Sequence, residues 1–343
     1  MLYVTTRNNR DAYTSHRVLR EDRGPDGGLY VPFREPPFTR EEICGFAEKP
    51  FNTCVAEVLN RLFNAKLTGW DIDLSIGRYA VRLEKLGHRV VMAETWHNLE
   101  QDFSGIVKNL THRLCPDAQI QSGSWAEISV RIAVLVGIFS ELMRQGIASE
   151  ENPVDIAVVS GDFSAPISTR YARRWGLPIG NIVCACNENG HLWDFICHGQ
   201  LKTGDIAVPT NTPEADVVVP DGLERLIYSC GGVSEVDRYL DAVHRGGNYY
   251  LEEASLRKLR EGIYVTVSSQ RRILETIPSI YGTHSYILSP YSALAYAGLQ
   301  DYRSRTGESR YALLLVEKSP IRDTETVAKA LNIAPETLRD YLK

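Results

Sequence analysis

The sequence contains neither a long apolar run nor a cluster of basic residues. The longest apolar candidate, residues 132–139, is too short to cross a bilayer, so no membrane partner is expected. Residues 1–7 lack the apolar core of a signal peptide. The net charge is -5 without a basic run, which argues against nucleic acid as a partner. The seven cysteines are scattered and odd in number, which favours free thiols and a reducing, cytoplasmic setting.

Residues 157–177 carry the pattern of a buried strand, a tight turn and a helix. Residues 156–159 form a short apolar run, typical of a strand that is buried on both faces. Gly161 permits a backbone shape that other residues resist, Ser164 is predicted to cap the helix, and Pro166 suits its first turn. Backbone N–H groups at such a helix start can bind phosphate or carboxylate, although many turns of this kind hold no ligand.

Three further local patterns make structural predictions. Thr39 precedes Glu42 by three residues, a capping-box spacing that predicts the start of a helix. Residues 70–86 are predicted to be helical, and the pair Gly231-Gly232 indicates a break in a later helix. Ser124 is predicted to cap a long apolar helix.

Several strings resemble the threonine synthase family. Pro25-Asp-Gly-Gly-Leu-Tyr-Val-Pro32 is similar to a string near the N-terminus of those enzymes, and Ser160-Gly-Asp-Phe-Ser164 resembles their phosphate loop. Further matching segments follow in the family's order at residues 186–199, 216–226, 281–293 and 311–320. Because the matches are collinear over most of the chain, chance is a poor explanation.

Residues 90–104 resemble the family segment whose lysine holds pyridoxal phosphate as a Schiff base. In this alignment Trp96-His97 match an aromatic–histidine pair, and Gln101 stands where the lysine is expected. A competing alignment places residues 94–110 on a later helix of the family's small domain. Neither alignment supplies the lysine, because Lys108 lies two helical turns, roughly 10 Å, beyond position 101.

The resemblance implies an α/β fold of the tryptophan synthase β-subunit type, fold type II of the pyridoxal-phosphate enzymes, with one lobe reduced. The family's Ser-Gly-Asp-Thr-Gly loop and the parallel-sheet small domain that follows it have no match here. We therefore expect residues 1–88 to form a threonine synthase-like N-terminal region. Residues 89–343 are expected to form an α/β core with a truncated small lobe.

The residues that match the family's cofactor site depart from it. The former phosphate loop comprises five residues: Gly161, Asp162, Phe163, Ser164 and Ala165. Asp162 replaces an asparagine, and its charge would repel a phosphate by on the order of 1–4 kcal/mol at about 4 Å. Glu317 or Val316 replaces the threonine that faces the pyridine nitrogen. We therefore expect no cofactor, with bound pyridoxal phosphate as the alternative. Asp162 has a second interpretation, in which it only caps the helix and the turn stays empty.

A cluster of cysteines and histidines raises the question of a metal. Its members are Cys184, Cys186, His191, Cys197 and His198. Cys184 and Cys186 share one face of a strand, buried thiols are common, and the spacing fits no zinc class. No metal site is therefore expected.

The sequence leaves three functional hypotheses open. The first is a threonine synthase-like protein without the cofactor, in a binding or regulatory role for a small anionic or amino-acid-like ligand. The second is a cofactor-independent enzyme that uses His97 or Glu317, with Gln101 at the lost lysine position. The third is an active pyridoxal-phosphate carbon–oxygen lyase acting on a phosphorylated amino acid. A homodimer is expected, because an apolar face left by the missing lobe must be covered.

Overall fold

A computed structural model of the chain describes residues 1–77, 81–87, 89–95, 102–118 and 120–342. Its first elements are three short strands and four helices: β1 (Leu2–Thr5), β2 (Tyr13–Thr14), α1 (Ser15–Arg20), β3 (Tyr30–Pro32), α2 (Arg40–Phe46), α3 (Phe51–Phe63) and α4 (Gly69–Ile76). The three strands form an antiparallel sheet in the order β2-β1-β3. Tyr3 of the central strand is fully buried, and its hydroxyl donates to the Leu62 carbonyl at 2.6 Å. This bond ties the small sheet to α3.

The remaining elements alternate between strands and helices. In chain order they are β4 (Arg82–Lys85), β5 (Val90–Glu94), α5 (Phe103–Leu114), α6 (Trp125–Arg144), β6 (Val154–Val159), α7 (Ser164–Arg174), β7 (Ile179–Cys186), α8 (His191–His198), β8 (Gln200–Lys202), α9 (Leu223–His244), β9 (Asn248–Tyr250), α10 (Glu253–Arg260), β10 (Ile263–Val267), α11 (Gln270–His284), α12 (Pro290–Thr306), β11 (Ala312–Val316), α13 (Thr324–Leu331) and α14 (Leu338–Tyr341). Between β5 and β6 the described residues form α5 and α6 and no strand.

A six-stranded sheet in the order β10-β7-β6-β11-β5-β4 forms the centre of the molecule. All neighbouring strands run parallel except β4, which is antiparallel to β5. Leu313 at the middle of the sheet lies opposite Ile156 on one side and Val91 on the other. These strands are apolar on both faces, as a sheet covered by helices on both sides requires.

The two faces of the sheet are covered by different helices. On one face Ile156, Val158 and Leu313 belong to the same apolar cluster as α3, α6 and α7. On the other face Ala157 and Leu314 pack with residues of α11 and α12. Most side chains of α6 are buried, and the buried side chains lie on every side of the helix. A helix that is apolar all round is a core helix, so α6 joins the N-terminal helices to the sheet.

Several local predictions are confirmed and one is wrong in part. Thr39 and Glu42 form the predicted capping box, Ser124 caps α6, and Gly232 interrupts α9 with a φ of 70°. The predicted helix over residues 70–86 is confirmed for residues 70–76 and wrong for residues 82–85, because α4 ends before Gly77, which has a φ of 82°. Residues 82–85 form β4 instead, because pairing with β5 outweighs the local helix propensity.

No helix within the described ranges combines the length and the apolarity needed to cross a bilayer.

A close contact between α12 and the sheet yields a stability prediction. A methyl group added at Gly298 would lie 2.5 Å from the Thr266 hydroxyl oxygen and 2.9 Å from the Ala185 Cβ. Gly298→Ala should therefore lower the free energy of unfolding by about 1–3 kcal/mol, measured by urea denaturation. Gly282→Ala on the exposed face of α11 is the matched control, because its methyl group meets nothing within 4 Å. It should be neutral or stabilising, and equal losses for both variants would contradict this packing.

Candidate functional site

A cleft opens at the carboxyl ends of β6 and β11, which are neighbours in the sheet. After β5 the chain places β6, β7 and β10 successively outward and then returns with β11 between β6 and β5. Ligands of open α/β proteins bind beyond the strand ends at such a reversal. The cleft has a volume of about 360 Å³. Its lining includes Ser122, Arg131, Gly161, Asp162, Ala165, Glu214, Tyr291, Glu317 and Lys318.

The turn between β6 and α7 has the tight geometry that its sequence predicts. Gly161 has a φ of 43°, and the N–H of Phe163 donates to the Ser160 carbonyl at 2.8 Å. The prediction that Ser164 caps the helix is wrong, because Ser164 is the first residue of α7. The capping position belongs to Phe163, which has a left-handed φ of 73° and a side chain fully buried in the core.

The carboxylate of Asp162 occupies this turn. It accepts hydrogen bonds from the Ser164 N–H at 2.9 Å and from the Ser164 hydroxyl at 2.7 Å, and the Ser122 hydroxyl also donates to it. Burial alone would raise the pKa of Asp162, but these hydrogen bonds and the charge of Arg131 outweigh it and hold the pKa below its ordinary value. A negative charge is therefore fixed at the helix N-terminus.

The turn also keeps backbone donors for a ligand. Within the described residues, the N–H groups of Gly161, Asp162 and Ala165 have no hydrogen-bond acceptor. Gly161 and Ala165 line the cleft beside the carboxylate. The turn therefore presents a carboxylate and free N–H donors side by side, which suits a ligand with both a donor and an acceptor group.

Arg131 on α6 is a half-buried positive charge of the cleft. Its Nε lies 2.8 Å from Glu127 Oε1, and its guanidinium also pairs with Glu317. The guanidinium carbon lies 4.5 Å from the ring centroid of Phe103. Burial acts to lower the pKa of Arg131, but the charges of Glu317 and Glu127 outweigh it and raise the pKa. Arg131 is thus permanently charged and already neutralised by two carboxylates.

Lys318 supplies the second positive charge of the cleft. It forms an ion pair with Glu214, and its Nζ lies 4.5 Å from the ring centroid of Tyr291. The Tyr291 hydroxyl in turn accepts the N–H of Glu214 at 3.3 Å. Sequence reasoning missed Lys318, although its place directly after Glu317 at the carboxyl end of a buried strand is the signal that would have found it.

A second cavity of about 300 Å³ adjoins the first. The two cavities share Ser122, Arg131, Glu214, Glu317 and Lys318. The second cavity is also lined by Asp102 and Ser104 at the start of α5. The N–H of Phe103 donates to the Glu317 carbonyl at 3.1 Å, so this helix start is fixed to the end of β11.

The predicted site residues divide into three groups. Gly161, Asp162, Ala165 and Glu317 line the cleft, so the structure brings them together. Phe163 and Ser164 are buried behind the turn and do not line the cleft. His97 and Gln101 lie outside the described residues, and Asp102 is the nearest described neighbour of the lost-lysine position.

The cysteine and histidine cluster is dispersed in the structure. Cys184 and Cys186 are buried in β7, where burial raises the pKa of Cys186 to about 11. The Nε2 of His191 lies 3.0 Å from the carboxylate of Asp205. Across the described ranges, no group of three or more His, Cys, Asp or Glu side chains could hold a metal ion.

Because Asp162 is charged, we expect its contribution to the free energy of unfolding to depend on pH. Because its folded pKa is lowered, its stabilising contribution is fully present above the unfolded value, about 3.9, and is lost as pH falls through the folded pKa. At pH 7, Asp162→Asn should therefore lower the free energy of unfolding by about 1 kcal/mol. The difference should shrink below about pH 4 in urea denaturation. Asp237→Asn on the surface of α9 is the control, and a deficit that is independent of pH would contradict the assigned charge.

Known protein sequences are similar to parts of this chain. Residues 2–78 match the family described as "Threonine synthase N terminus". Human "Threonine synthase-like 1" is 28% identical over 203 residues, which cover 57% of this chain and 26% of that protein. "Threonine synthase" of Pseudomonas aeruginosa is 26% identical over 213 residues, which cover 62% of this chain and 44% of that enzyme. The matched segments thus span about a quarter of the first relative and less than half of the second.

Solved structures share the fold over the full length of the chain. The "PLP bound Threonine synthase from Brucella melitensis" superimposes with a TM-score of 0.87 at 17% identity, covering 100% of this chain and 94% of that chain. Threonine synthase from yeast gives a TM-score of 0.87 at 15% identity, with coverages of 99% and 94%. The resemblance of this chain to the threonine synthase-like family is confirmed, and its fold is that of the fold type II pyridoxal-phosphate enzymes.

Proposed function

We propose that this protein binds a small amino-acid-like ligand in the cleft and does so without pyridoxal phosphate. The observation that carries the proposal is the carboxylate of Asp162, which is fixed in the turn by Ser122 and Ser164 beside free backbone N–H groups. A carboxylate attracts an ammonium group, and free N–H groups attract a carboxylate or hydroxyl oxygen. An α-amino acid presents both groups on adjacent atoms.

The charges of the cleft argue against a phosphate dianion at the turn. The lining contains three carboxylates, Asp162, Glu214 and Glu317, and two cations, Arg131 and Lys318. Both cations are already paired with carboxylates, Arg131 with Glu317 and Lys318 with Glu214. A phosphate placed against the turn would face the carboxylate of Asp162, which Ser122 and Ser164 hold at the start of α7. The residues present therefore do not fit the phosphate of the cofactor.

The covalent attachment of the cofactor also lacks its usual partner. Position 101 carries glutamine, and the lysine that lines the cleft, Lys318, follows β11 and pairs with Glu214. These observations support a protein that retains the family's fold without its cofactor chemistry.

A second candidate function is a pyridoxal-phosphate-dependent carbon–oxygen lyase acting on a phosphorylated amino acid. It is favoured by the TM-score of 0.87 to a threonine synthase that is described as PLP bound. A third candidate is a cofactor-independent reaction at Glu317, whose carboxylate lines the cleft and pairs with Arg131. His97, the other predicted acid–base group, lies outside the described residues.

The proposal predicts that the purified protein carries no Schiff-base cofactor. Its visible spectrum should lack an aldimine band, also after incubation with pyridoxal phosphate, because the turn already holds a carboxylate. The spectrum is recorded before and after borohydride treatment, followed by a search of the digest for a modified lysine. Visible absorption that disappears on reduction, with a pyridoxyl group on a lysine peptide, would establish the lyase alternative instead.

The ligand preference of the turn is tested by Asp162→Asn. Calorimetry with L-threonine and inorganic phosphate as probes should show weaker amino-acid binding, by about tenfold, and stronger phosphate binding. The loss arises because the ammonium group no longer meets a charge. Asp237→Asn should change neither affinity. If Asp162→Asn lowers only the thermal stability and leaves both affinities unchanged, Asp162 is only a helix cap and the ligand site does not exist.

A further inference from the structure

We infer that Lys318 is a second anion-binding position and that the preferred ligand is an amino acid with a carboxylate side chain. In the free protein the carboxylate of Glu214 forms the ion pair with Lys318 that the side-chain carboxylate of the ligand would form. The inference rests on the proposed function, because Asp162 and the adjacent N–H groups hold the amino-acid end of the same ligand. It adds the chemical class of the side chain and the residue that recognises it.

The two cations of the cleft differ in how readily they can exchange partners. The Arg131 side chain is 15% exposed and has two carboxylate partners, Glu127 and Glu317, which are 10% and 28% exposed, so the three groups hold one another in a mostly shielded cluster. Separating them would leave a half-buried charge without a partner. Lys318 is 21% exposed, whereas its partner Glu214 is 66% exposed. Because the carboxylate of Glu214 is already largely hydrated, it can leave Lys318 with little loss, and a ligand carboxylate can take its place.

The backbone around Glu214 is fixed, although its side chain extends into solvent. Glu214 lies in a short 3₁₀ helix, Pro213–Ala215, and its N–H donates to the Tyr291 hydroxyl at 3.3 Å. Directly after this turn, Asp216 accepts hydrogen bonds from the Asn187 side chain at 2.7 Å and from the Thr210 N–H at 2.8 Å. The carboxylate of Glu214 can therefore rotate away from Lys318 without any movement of the loop.

The space around Lys318 suits the side chain of a bound amino acid. Lys318 and Asp162 both line the cavity of about 360 Å³, which lies within the size range of small-molecule sites. Lys318 also lines the adjoining cavity of about 300 Å³, so the side chain borders free volume in both cavities. The ring of Tyr291, 4.5 Å from Nζ, supports the ammonium group whichever carboxylate it meets.

The test compares acidic amino acids with their amides in calorimetry. L-glutamate and L-aspartate are the probes, and L-glutamine and L-asparagine are the matched ligands without the side-chain charge. Wild-type protein should prefer the acidic member of at least one pair. Glu214→Gln should tighten binding of that member by about threefold to tenfold, because it removes the competing carboxylate, and should leave its amide unchanged. Lys318→Met should weaken the acidic member by at least about tenfold and leave the amide unchanged.

Two controls separate charge recognition from a general loss of structure. Lys318→Arg should retain the preference for the acidic member, and Lys108→Met on the exposed side of α5 should behave as wild type. Binding by Glu214→Gln alone would also support the inference, since Glu214 would then block the wild-type site. Amino-acid binding that is equal for acids and amides, or unaffected by Lys318→Met, would overturn the inference while leaving the proposed function intact. Absence of amino-acid binding in every variant would overturn both.

Discussion

The carboxylate of Asp162, bound by the start of α7, is the interaction around which the cleft is organised. Three hydrogen bonds from Ser164 and Ser122 hold it, and Arg131 stabilises its charge from the neighbouring helix. A helix N-terminus ordinarily attracts an external anion. Here the chain supplies that anion itself, so the same geometry is left to attract a positively charged or hydrogen-bond-donating group.

The other charges of the cleft follow the same rule of internal neutralisation. Arg131 pairs with Glu127 and Glu317, and Lys318 pairs with Glu214. The cleft lies at the reversal of strand order between β6 and β11, where its charged side chains neutralise one another. The fold by itself therefore does not fix which ligand the cleft holds.

Local chemistry explains which predictions from the sequence succeeded. The turn at Gly161, the capping box at Thr39 and the cap at Ser124 depend on residues a few positions apart, so the sequence is sufficient to predict them. The hydroxyl of Ser164 predicts a cap, but Phe163 adopts the left-handed conformation at the capping position and Ser164 becomes the first residue of α7. The Lys318–Glu214 pair joins positions 104 residues apart and depends on strand order, which no local pattern contains. The expected homodimer stays a prediction.

The most direct test of the account is a crystal structure of the protein grown with an acidic amino acid such as L-glutamate. The account predicts a ligand between the ends of β6 and β11, with its ammonium group on Asp162, its side-chain carboxylate on Lys318, and Glu214 turned toward solvent. A ligand with its ammonium group away from Asp162, or pyridoxal phosphate linked to a lysine in the cleft, would contradict it.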